Sequence, residues 1–528
     1  MLDVAIIGGG VAGCYCAYRL AAERGGIALF EGSGRIGGRL WSVPVAGADG
    51  PVAEIGGMFF RRNQQNVSAL IEHLGLKHEP VNFKRSGQFA RGTFFEDADF
   101  TSDRLPFKLD AGERSPGPSA LLIHTLEQIV PGAVELWPIN REKPASAQAT
   151  FDRLRAVRHH GRPLHVYGLW NVLADVISNE AYALLTAVLG SVSMLRNVNA
   201  FDGVWSLLHE VGDGAGSALC GGYQQLPIAL RLAAEREGAA THLNRKLLGV
   251  SRAGGHFRLR FSGSDDADIE IEARQVILAL PQLPLQHLAL SDDLFVDARV
   301  FRHALDRAVL PMRSCKIFLT YDQAWWGEGG ADEVSATYAD LPMQQCYRWS
   351  NSGGGSPALL MAAYADDVGA TFWAPLARPR QDVDGAHDLA ASAAMVEAVQ
   401  RQLTKLRKGD APPTPAGALY FDWSAAPFGA AWHGWAPHFE SWNIRPFMRR
   451  PNPSLDLFIC GEAYSQRNGW VEGALNSAEL VLEQLGLTRP SWINDPDFQF
   501  EAGVRGVEND HSNTSDVQRF GARHGAAA

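Results

Sequence analysis

Long hydrophobic runs are absent from this chain. Hydrophobic residues make up 46% of it, yet no stretch approaches the ~20 uninterrupted apolar residues of a membrane-spanning helix. Dense runs of lysine and arginine are absent too, and the formal net charge is −10, which argues against nucleic acid or an anionic membrane as the main partner. The first apolar run begins at Leu2 and leaves no room for a signal peptide. We therefore expect a cytoplasmic protein without nucleic-acid or membrane partners.

Cysteine is scarce and dispersed: the chain has six, and none forms a CxxC pair. A disulfide framework or a cysteine-based metal cluster needs closely spaced cysteines. Most of the six lie within apolar runs, where reduced cysteine packs as a small hydrophobic residue. We expect no disulfide and no metal site. The six are Cys14, Cys16, Cys220, Cys315, Cys346 and Cys460.

What the chain does contain begins with a strand–turn–helix pattern. Leu2–Ile7 is a short apolar run with β-branched residues, followed by the turn GGGVAG and a helical run. In such a turn Gly8 makes the tight bend, Gly10 lets a pyrophosphate approach the backbone, and Gly13 lets the helix pack close to the strand. Ala12 lies in the same turn, where phosphates meet the positive end of the helix. The pattern predicts dinucleotide binding.

A second strand, Ile27–Phe30, ends at Glu31. A carboxylate at this distance is placed to accept a hydrogen bond from a ribose 2′-hydroxyl, and its charge disfavours a 2′-phosphate. A lone glycine motif also occurs in ordinary glycine-rich turns. Such turns lack a strand before them, a helix after them and an acid at this spacing.

Two more glycine-containing segments follow. Residues 32–42, GSGRIGGRLWS, combine glycine with arginine, which suits a second pyrophosphate contact but on its own also fits a basic surface loop. Residues 53–60, AEIGGMFF, form an apolar strand interrupted by two glycines. With the N-terminal pattern, these segments resemble the flavin-containing amine oxidases. The residues that the resemblance assigns to the cofactor here are Gly38, Arg39, Gly56, Gly57 and Met58.

That resemblance implies a mixed α/β fold: a discontinuous Rossmann-type FAD-binding domain, a mixed-sheet substrate domain and an inserted helical domain. A length of 528 residues also favours two or three domains. Residues 99–213 have a helical pattern, and 212–222 are a glycine-rich candidate boundary. From Thr488 the chain is polar and lacks periodicity, and residues 504–528 are predicted to be mobile. The predicted bounds are 1–62, 221–290 and 453–487 for the FAD-binding domain, 63–100 and 291–452 for the substrate domain, 101–220 for the helical domain and 488–528 for the tail.

The C-terminal stretch 457–475, LFICGEAYSQRNGWVEGAL, predicts a strand, a loop and a helix whose positive N-terminus lies beside a ligand. It resembles the bacterial L-amino acid oxidase branch of the family. The resemblance implies that Glu462 lies by the ribityl and pyrophosphate portion, that Trp470 forms one wall of an aromatic cage, and that Val471 touches the flavin ring. A core position is the alternative for Trp470. Gly461 and Gly469 complete the cofactor residues of this stretch.

Lys316 lies in an apolar strand, SCKIFLTY, where an unpaired charge is costly. The resemblance implies that it holds a water against flavin N5 and assists oxygen activation. The alternative is a lysine whose end reaches the surface at a strand edge. By the same resemblance, Val250 contacts the adenine through its backbone, although its periodicity also fits an ordinary core strand residue.

The resemblance also places the opposite cage wall in a tryptophan-dense segment, with Trp432 as first candidate and His433 as second. The monoamine oxidases use a cysteine in this region for a covalent flavin bond, and residues 423–442 contain none. We therefore expect FAD to be bound non-covalently.

Carboxylate recognition departs from the family pattern. Phe59 stands where L-amino acid oxidases carry a bidentate arginine, whereas Tyr364 matches the tyrosine that shares this task. Arg61, Arg62 or Arg196 are candidate replacements. Equally, the substrate could lack a free carboxylate and be an ester, amide, peptide or simple amine.

The expected function is an FAD-dependent oxidase. Hydride passes from the α-carbon of an L-amino acid or derivative with a bulky apolar or aromatic side chain to flavin N5, the imine hydrolyses to an oxo product and ammonia, and O2 becomes H2O2. The alternatives are a monoamine or polyamine oxidase, an amino acid monooxygenase, a flavin desaturase and, in another class, a non-catalytic flavin-binding subunit. A homodimer is the assembly considered.

Overall fold

A computed structural model of the chain describes residues 1–494 and 498, except 46–49, 62, 137–146, 197, 211–214, 264–267, 327–332, 351–356, 379–381, 384–385 and 388. Its strands are β1 (Leu2–Ile7), β2 (Ile27–Phe30), β3 (Ser42–Pro44), β4 (Val52–Glu54), β5 (Phe60–Arg61), β6 (His78–Ala90), β7 (Thr93–Phe95), β8 (Arg158–His159), β9 (Arg162–Pro163), β10 (Ala215–Leu219), β11 (Ala240–His242), β12 (Leu247–Ala253), β13 (His256–Phe261), β14 (Ile269–Leu278), β15 (Ala289–Leu290), β16 (Val309–Met312), β17 (Ser314–Tyr321), β18 (Glu333–Ala339), β19 (Gln345–Ser350), β20 (Ala358–Asp366), β21 (Asp382–Val383), β22 (Ala386–His387), β23 (Gly417–Asp422), β24 (Trp432–Trp435) and β25 (Leu457–Ile459).

The helices are α1 (Val11–Ala21), α2 (Gln65–His73), α3 (Pro118–Ile129), α4 (Ala133–Leu136), α5 (Ala147–Ala156), α6 (Leu169–Val176), α7 (Asn179–Val188), α8 (Ala200–Glu210), α9 (Gln225–Arg236), α10 (Gln282–Gln286), α11 (Ala298–His303), α12 (Asp367–Trp373), α13 (Ala393–Leu406), α14 (Ser441–Arg449) and α15 (Val471–Gln484). Among the described residues, no helix is both long and apolar enough to cross a membrane.

The first sheet is built on parallel strands in the order β11, β2, β1, β14 and β25. Strands β12 and β13 join it as an antiparallel meander on the N-terminal part of β14. Alternate residues of β1 enter different cores: Val4 and Ile6 lie in the core with α1, α9 and α15, whereas Ala5 and Ile7 face the other side. Both faces are covered, as expected for parallel strands, and the predicted Rossmann-type fold is confirmed.

The second sheet has nine strands and is mixed. Its order is β23, β17, β20, β19, β18, β6, β10 and β5, with β7 added to β6. The pair β18–β6 is parallel, whereas β17 pairs antiparallel with both β20 and β23. Every residue of β17 is buried, which places Lys316 in the interior of this sheet.

Strand β10 lies within 212–222, the segment that sequence analysis names as a candidate boundary. Ala215–Leu219 pairs with β6 and β5 inside the second sheet, although its sequence AGSAL has little β propensity. Backbone hydrogen bonds to the strands on both sides stabilise β10 despite this low propensity. The domain bounds stay predictions, but 215–219 belongs to a strand rather than to the helical segment.

Within the helical pattern predicted for 99–213, residues 169–189 form two helices, α6 and α7. Ser178 separates them, because its side chain accepts a hydrogen bond from the Ala181 amide and so caps α7. Its hydroxyl and amide both donate to Glu113. Helices α3 and α5–α8 share one apolar core, in line with the predicted helical domain.

One further expectation needs correction. All six cysteines are free, but Cys220 is exposed, because it follows β10 at the turn before Gly221.

The start of the predicted tail is packed against α1: Trp492 lies edge-on to Tyr15 at 6.3 Å, and Ile493 is buried. Residues 499–528, which include the predicted mobile stretch 504–528, lie outside the described residues.

Gly13→Ala tests the close packing of α1. A Cβ at Gly13 would lie 1.9 Å from the Gly8 carbonyl oxygen, a backbone atom that yields only if the helix moves. We expect a lower melting temperature, corresponding to a loss of about 1–3 kcal/mol, measured by thermal unfolding. Gly25→Ala is the control, since no atom lies within 4 Å of the added Cβ. Equal losses in both variants would contradict the proposed role of Gly13.

Candidate active site

The glycine turn after β1 leaves an open cradle. Gly8 has φ +109°, and a Cβ there would meet the Ala279 carbonyl oxygen at 2.5 Å. At Gly10, by contrast, the nearest atom to an added Cβ is the Gly38 Cα at 3.9 Å. No side chain caps α1 at Gly10. Its N-terminal amides and the positive end of its dipole therefore suit an anion, and Ala12 lies buried in its first turn.

Glu31 is fixed beside this turn. One carboxylate oxygen, Oε2, accepts the Gly9 amide at 2.7 Å, and the other, Oε1, accepts both the amide and the hydroxyl of Ser33 at 2.8 Å. A carboxylate has about four acceptor sites, so Glu31 can still bind a hydroxyl of a ribose.

The second glycine segment packs directly against the first. The Gly37 amide donates to the Gly9 carbonyl at 2.8 Å, and Gly38 has φ +56°. Arg35 donates to the carbonyls of Gly38 and Leu40 at 2.7 and 3.1 Å. Arg35 therefore holds the loop together, while Arg39 makes the charged contact of this segment.

Arg39 meets a buried charge cluster around Glu462. Arg39 Nη1 lies 2.6 Å from Glu462 Oε2, and His433 Nδ1 lies 3.0 Å from the same oxygen. The amides of His433 and Gly469 donate to Oε1 at 2.8 and 2.7 Å. Burial opposes ionisation, but Arg39 and His433 outweigh it and hold the pKa of Glu462 well below its usual range.

His433 is neutral in this cluster and has one unused nitrogen. Burial lowers its pKa, and the attraction of Glu462 offsets only part of that effect. A proton on Nδ1 suits the contact with Glu462 and makes Nε2 an acceptor. Nε2 is buried and has no hydrogen-bond partner among the residues that the structure describes. Such an atom indicates a contact with a bound group.

The turn after β25, which leads towards α15, is also open. A Cβ on Gly461, which has φ +132°, would have no described atom within 4 Å. Trp470 precedes the helix and provides no side-chain cap, and Val471 is its half-buried first residue. Glu472 accepts the amides of Asn66 and Val67 at the start of α2. Sequence reasoning missed this role, since the partners of Glu472 are some four hundred residues away.

Lys316 does not reach the surface. Its Nζ is buried and donates to the carbonyls of Glu54 and Gly56 at 2.9 and 2.6 Å, with Met58 Sδ at 3.6 Å. The Tyr364 ring centroid lies 4.7 Å away. Lys316 therefore links the second sheet to the AEIGGM segment.

Glu54 is the functional-site candidate that sequence reasoning missed. Its carboxylate accepts the Ser42 hydroxyl and the Tyr223 amide, both at 2.7 Å. Burial raises the pKa of Glu54 to about 7 and lowers the pKa of Lys316 to about 7, and the attraction between the two charges opposes both shifts. The sequence signal that could have indicated Glu54 is an acidic residue within an otherwise apolar strand.

The three residues predicted to form the aromatic cage, Trp470, Trp432 and His433, have different neighbours. Trp470 packs edge-on against Phe59, with ring centroids 5.8 Å apart, and Phe83 lies 4.6 Å from Phe59. Trp432 packs beside Gly469, where an added Cβ would lie 3.6 Å from its ring. His433 belongs to the Glu462 cluster instead, because successive strand residues point to opposite faces.

Arg61 lies with the rings of Phe59 and Trp470. Its guanidinium carbon is 5.7 and 5.3 Å from their centroids. Arg196 instead pairs with Asp367 at 3.0 Å, and Arg62 lies outside the described residues. A small cavity adjoins this group. It is lined by Arg61, Asn63, Gln64, Trp205, Ser206, His209, Gln466, Arg467 and Trp470.

Val250 is a buried residue of β12, paired with Leu259 and Leu290. Its contact with adenine stays a prediction.

Comparison with known proteins identifies the family. The profile of the flavin-containing amine oxidoreductases matches residues 11–481. The chain belongs to this family. Two relatives of this amine oxidoreductase are aplysianin-A of Aplysia kurodai, 26% identical over 91% of this chain and 90% of the relative, and achacin of Lissachatina fulica, 27% identical over 92% and 93%.

Solved structures share the fold of this amine oxidoreductase. Cyclohexylamine oxidase from Brevibacterium oxydans IH-35A is 18% identical and superposes with a TM-score of 0.66, covering 92% of this chain and all of that one. Putrescine oxidase, solved with bound putrescine, is 20% identical with a TM-score of 0.66 and covers 92% of this chain and 99% of that one.

The residues present fit the FAD of this amine oxidoreductase. Gly10, Glu31, Arg39 and Gly461 offer an anion cradle, a ribose acceptor, a cation and open space, and His433 Nε2 offers an unused acceptor. Bound FAD supplies the capacity to accept a hydride and pass the electrons on. The chain is thus an FAD-dependent enzyme of the amine oxidase type.

Glu462→Gln tests the charge cluster. An amide leaves Arg39 without its carboxylate, and breaking a buried pair costs roughly 3 kcal/mol or more. We expect a lower melting temperature and a lower ratio of flavin to protein absorbance after purification. Glu440→Gln is the control, because this half-exposed carboxylate contacts residues outside the cluster: it accepts an exposed hydrogen bond from Asn443 and lies 3.9 Å from His165 Nε2. Unchanged flavin content in Glu462→Gln would refute the assignment.

Proposed function

We propose that this enzyme oxidises an L-amino acid with a bulky apolar or aromatic side chain. The products are an imine that hydrolyses to the oxo acid and ammonia, and H2O2 from O2. The observation that carries the proposal is Arg61 beside Phe59 and Trp470. A cation and two aromatic rings form a recognition set for a carboxylate attached to an apolar side chain.

In this proposal Arg61 does the task of the arginine that L-amino acid oxidases carry at the position of Phe59. A guanidinium binds a carboxylate through two parallel hydrogen bonds, which fixes orientation as well as affinity. Position 61 is two residues beyond position 59, and alternate strand residues share a face. The two positions therefore project to one side of the short segment that ends in β5.

Lys316 supplies positive charge next to the glycine segment. Its three contacts hold the ammonium in place, and a fixed cation in a dry site stabilises negative charge that develops on oxygen. Trp470 and Tyr364 line the substrate side and exclude water.

An amine without a carboxylate is the second candidate. Phe59 at the arginine position favours it, because an apolar ring pairs poorly with an anion. Putrescine oxidase and cyclohexylamine oxidase share the fold. A panel that compares amino acids with their amides, esters and simple amines, with peroxide formed per amine consumed, separates the two candidates.

Arg61→Gln should raise KM for free amino acids by at least about tenfold, because a charge-assisted hydrogen bond is worth about 1.5–3 kcal/mol. KM for the corresponding amide should change little. Steady-state peroxide assays measure both. Arg196→Gln is the matched control, since Arg196 pairs with Asp367. Equal changes for acid and amide would show that Arg61 does not bind the carboxylate.

Lys316→Met should slow the reaction with O2 far more than the anaerobic reaction with the amine. In the wild type the rate of reaction with O2 should fall as pH rises through about 7, where the buried ammonium loses its proton; in the variant it should be low and independent of pH. Stopped-flow absorbance follows the two half-reactions separately.

Lys405→Met, which alters an exposed lysine of α13, serves as the control. The amine half-reaction should accelerate with pH through the substrate amine's pKa, because the neutral amine reacts. Equal slowing of both half-reactions in Lys316→Met would refute the role given to Lys316.

A further inference from the structure

Two histidines and an aspartate converge on the surface of the helical region. Strands β8 and β9 form a tight hairpin whose turn is His160–Gly161, and helix α6 carries Asp175 in its last turn. The Nε2 atoms of His159 and His160 lie 2.8 and 3.0 Å from the same atom, Asp175 Oδ2. All three ligand atoms lie within 4.8 Å of one another.

We propose that His159, His160 and Asp175 bind a divalent transition-metal ion of the zinc type, with solvent completing the coordination. Zinc binds histidine nitrogen at about 2.0–2.1 Å and carboxylate oxygen at about 2.0–2.2 Å, usually as a tetrahedron. Such a tetrahedron separates its ligand atoms by roughly 3.4 Å. A small outward movement of the side chains therefore opens the site.

The backbone conformation of His160 supports its role as a metal ligand. His160 has φ +46°, a conformation that non-glycine residues seldom adopt and that costs of order 1 kcal/mol or more. This turn places the His160 ring beside that of His159, with centroids 4.3 Å apart. Glycine would make the same turn without strain but would bring no ligand.

The position of Asp175 is a second independent feature. A carboxylate near the C-terminal end of a helix faces the negative end of the helix dipole, which is unfavourable unless positive charge lies close by. A divalent metal ion bound at this carboxylate supplies that charge. The metal would tie the hairpin to the end of α6.

The surroundings favour a nitrogen-binding metal and leave it accessible. The His159 ring packs perpendicular to Tyr167 at 5.0 Å, which fixes its orientation. His160 and Asp175 are well exposed, with side-chain exposures of 69% and 49%, so water can occupy the remaining positions. Two imidazoles and one carboxylate suit zinc or copper, whereas calcium and magnesium prefer oxygen ligands. Sequence reasoning expected no metal, because it considered only the dispersed cysteines.

Calorimetric titration of the tag-free, FAD-loaded enzyme with zinc chloride at pH 7.5 tests the proposal. We expect one ion per chain with micromolar or tighter affinity. His160→Gly and Asp175→Asn should each weaken it at least tenfold, consistent with the cost of perturbing a metal shell. His287→Ala, which removes an exposed histidine elsewhere, should leave it unchanged.

Thermal unfolding provides the second measurement. His160→Gly should fold well, because glycine suits this backbone conformation. Zinc should raise the melting temperature of the wild type, since a ligand of the native state stabilises it, and the same zinc concentration should raise that of His160→Gly by less. Equal zinc affinity in the wild type and both variants, no zinc binding by the wild type, or equally tight binding of calcium would overturn the proposal.

Discussion

The buried pair of Arg39 and Glu462 is the interaction on which the site depends. The two residues are 423 positions apart, and the pair joins the glycine segment after β2 to the loop after β25. Taking two charges out of water is expensive unless both are fully hydrogen-bonded. Here Glu462 has four donors, from Arg39, the ring and amide of His433, and the amide of Gly469. The cluster thereby fixes the start of α15 relative to the first sheet.

A second pair, Glu54 and Lys316, joins strand β4 to the second sheet. Neither charge is stable alone in this interior, and both groups titrate near neutrality because burial works against ionisation of each. The backbone carbonyls of Glu54 and Gly56 hold the lysine. The same short segment thus contacts the glycine loop through the Gly57 amide, which donates to the Arg39 backbone carbonyl, and contacts the second sheet through Lys316.

The parts of the fold that could be predicted are those that local pattern specifies. The glycine turn, the parallel strands and α15 follow from alternation, glycine and helical spacing. The break between α6 and α7 could not be predicted, because Ser178 is held by hydrogen bonds to Glu113, 65 residues earlier. Strand β10 could not be predicted either, because its backbone pairing with β5 and β6 stabilises a strand that its residues do not favour. At the site, glycines and single charged residues were visible in the sequence, but which arginine lies beside Trp470 depends on distant elements.

Strand β14 connects the whole first sheet. Its first half pairs with β13, its second half with β25, and β1 runs along its other edge. Strand β25 is made from residues 457–459, so the edge at Val276–Leu278 stays unpaired while nearly two hundred residues are still being synthesised. An unpaired strand edge is open to association with other chains. During translation this nascent polypeptide therefore carries an exposed apolar edge from the synthesis of residue 278 until that of residue 457, and protection of that edge by chaperones would favour its yield.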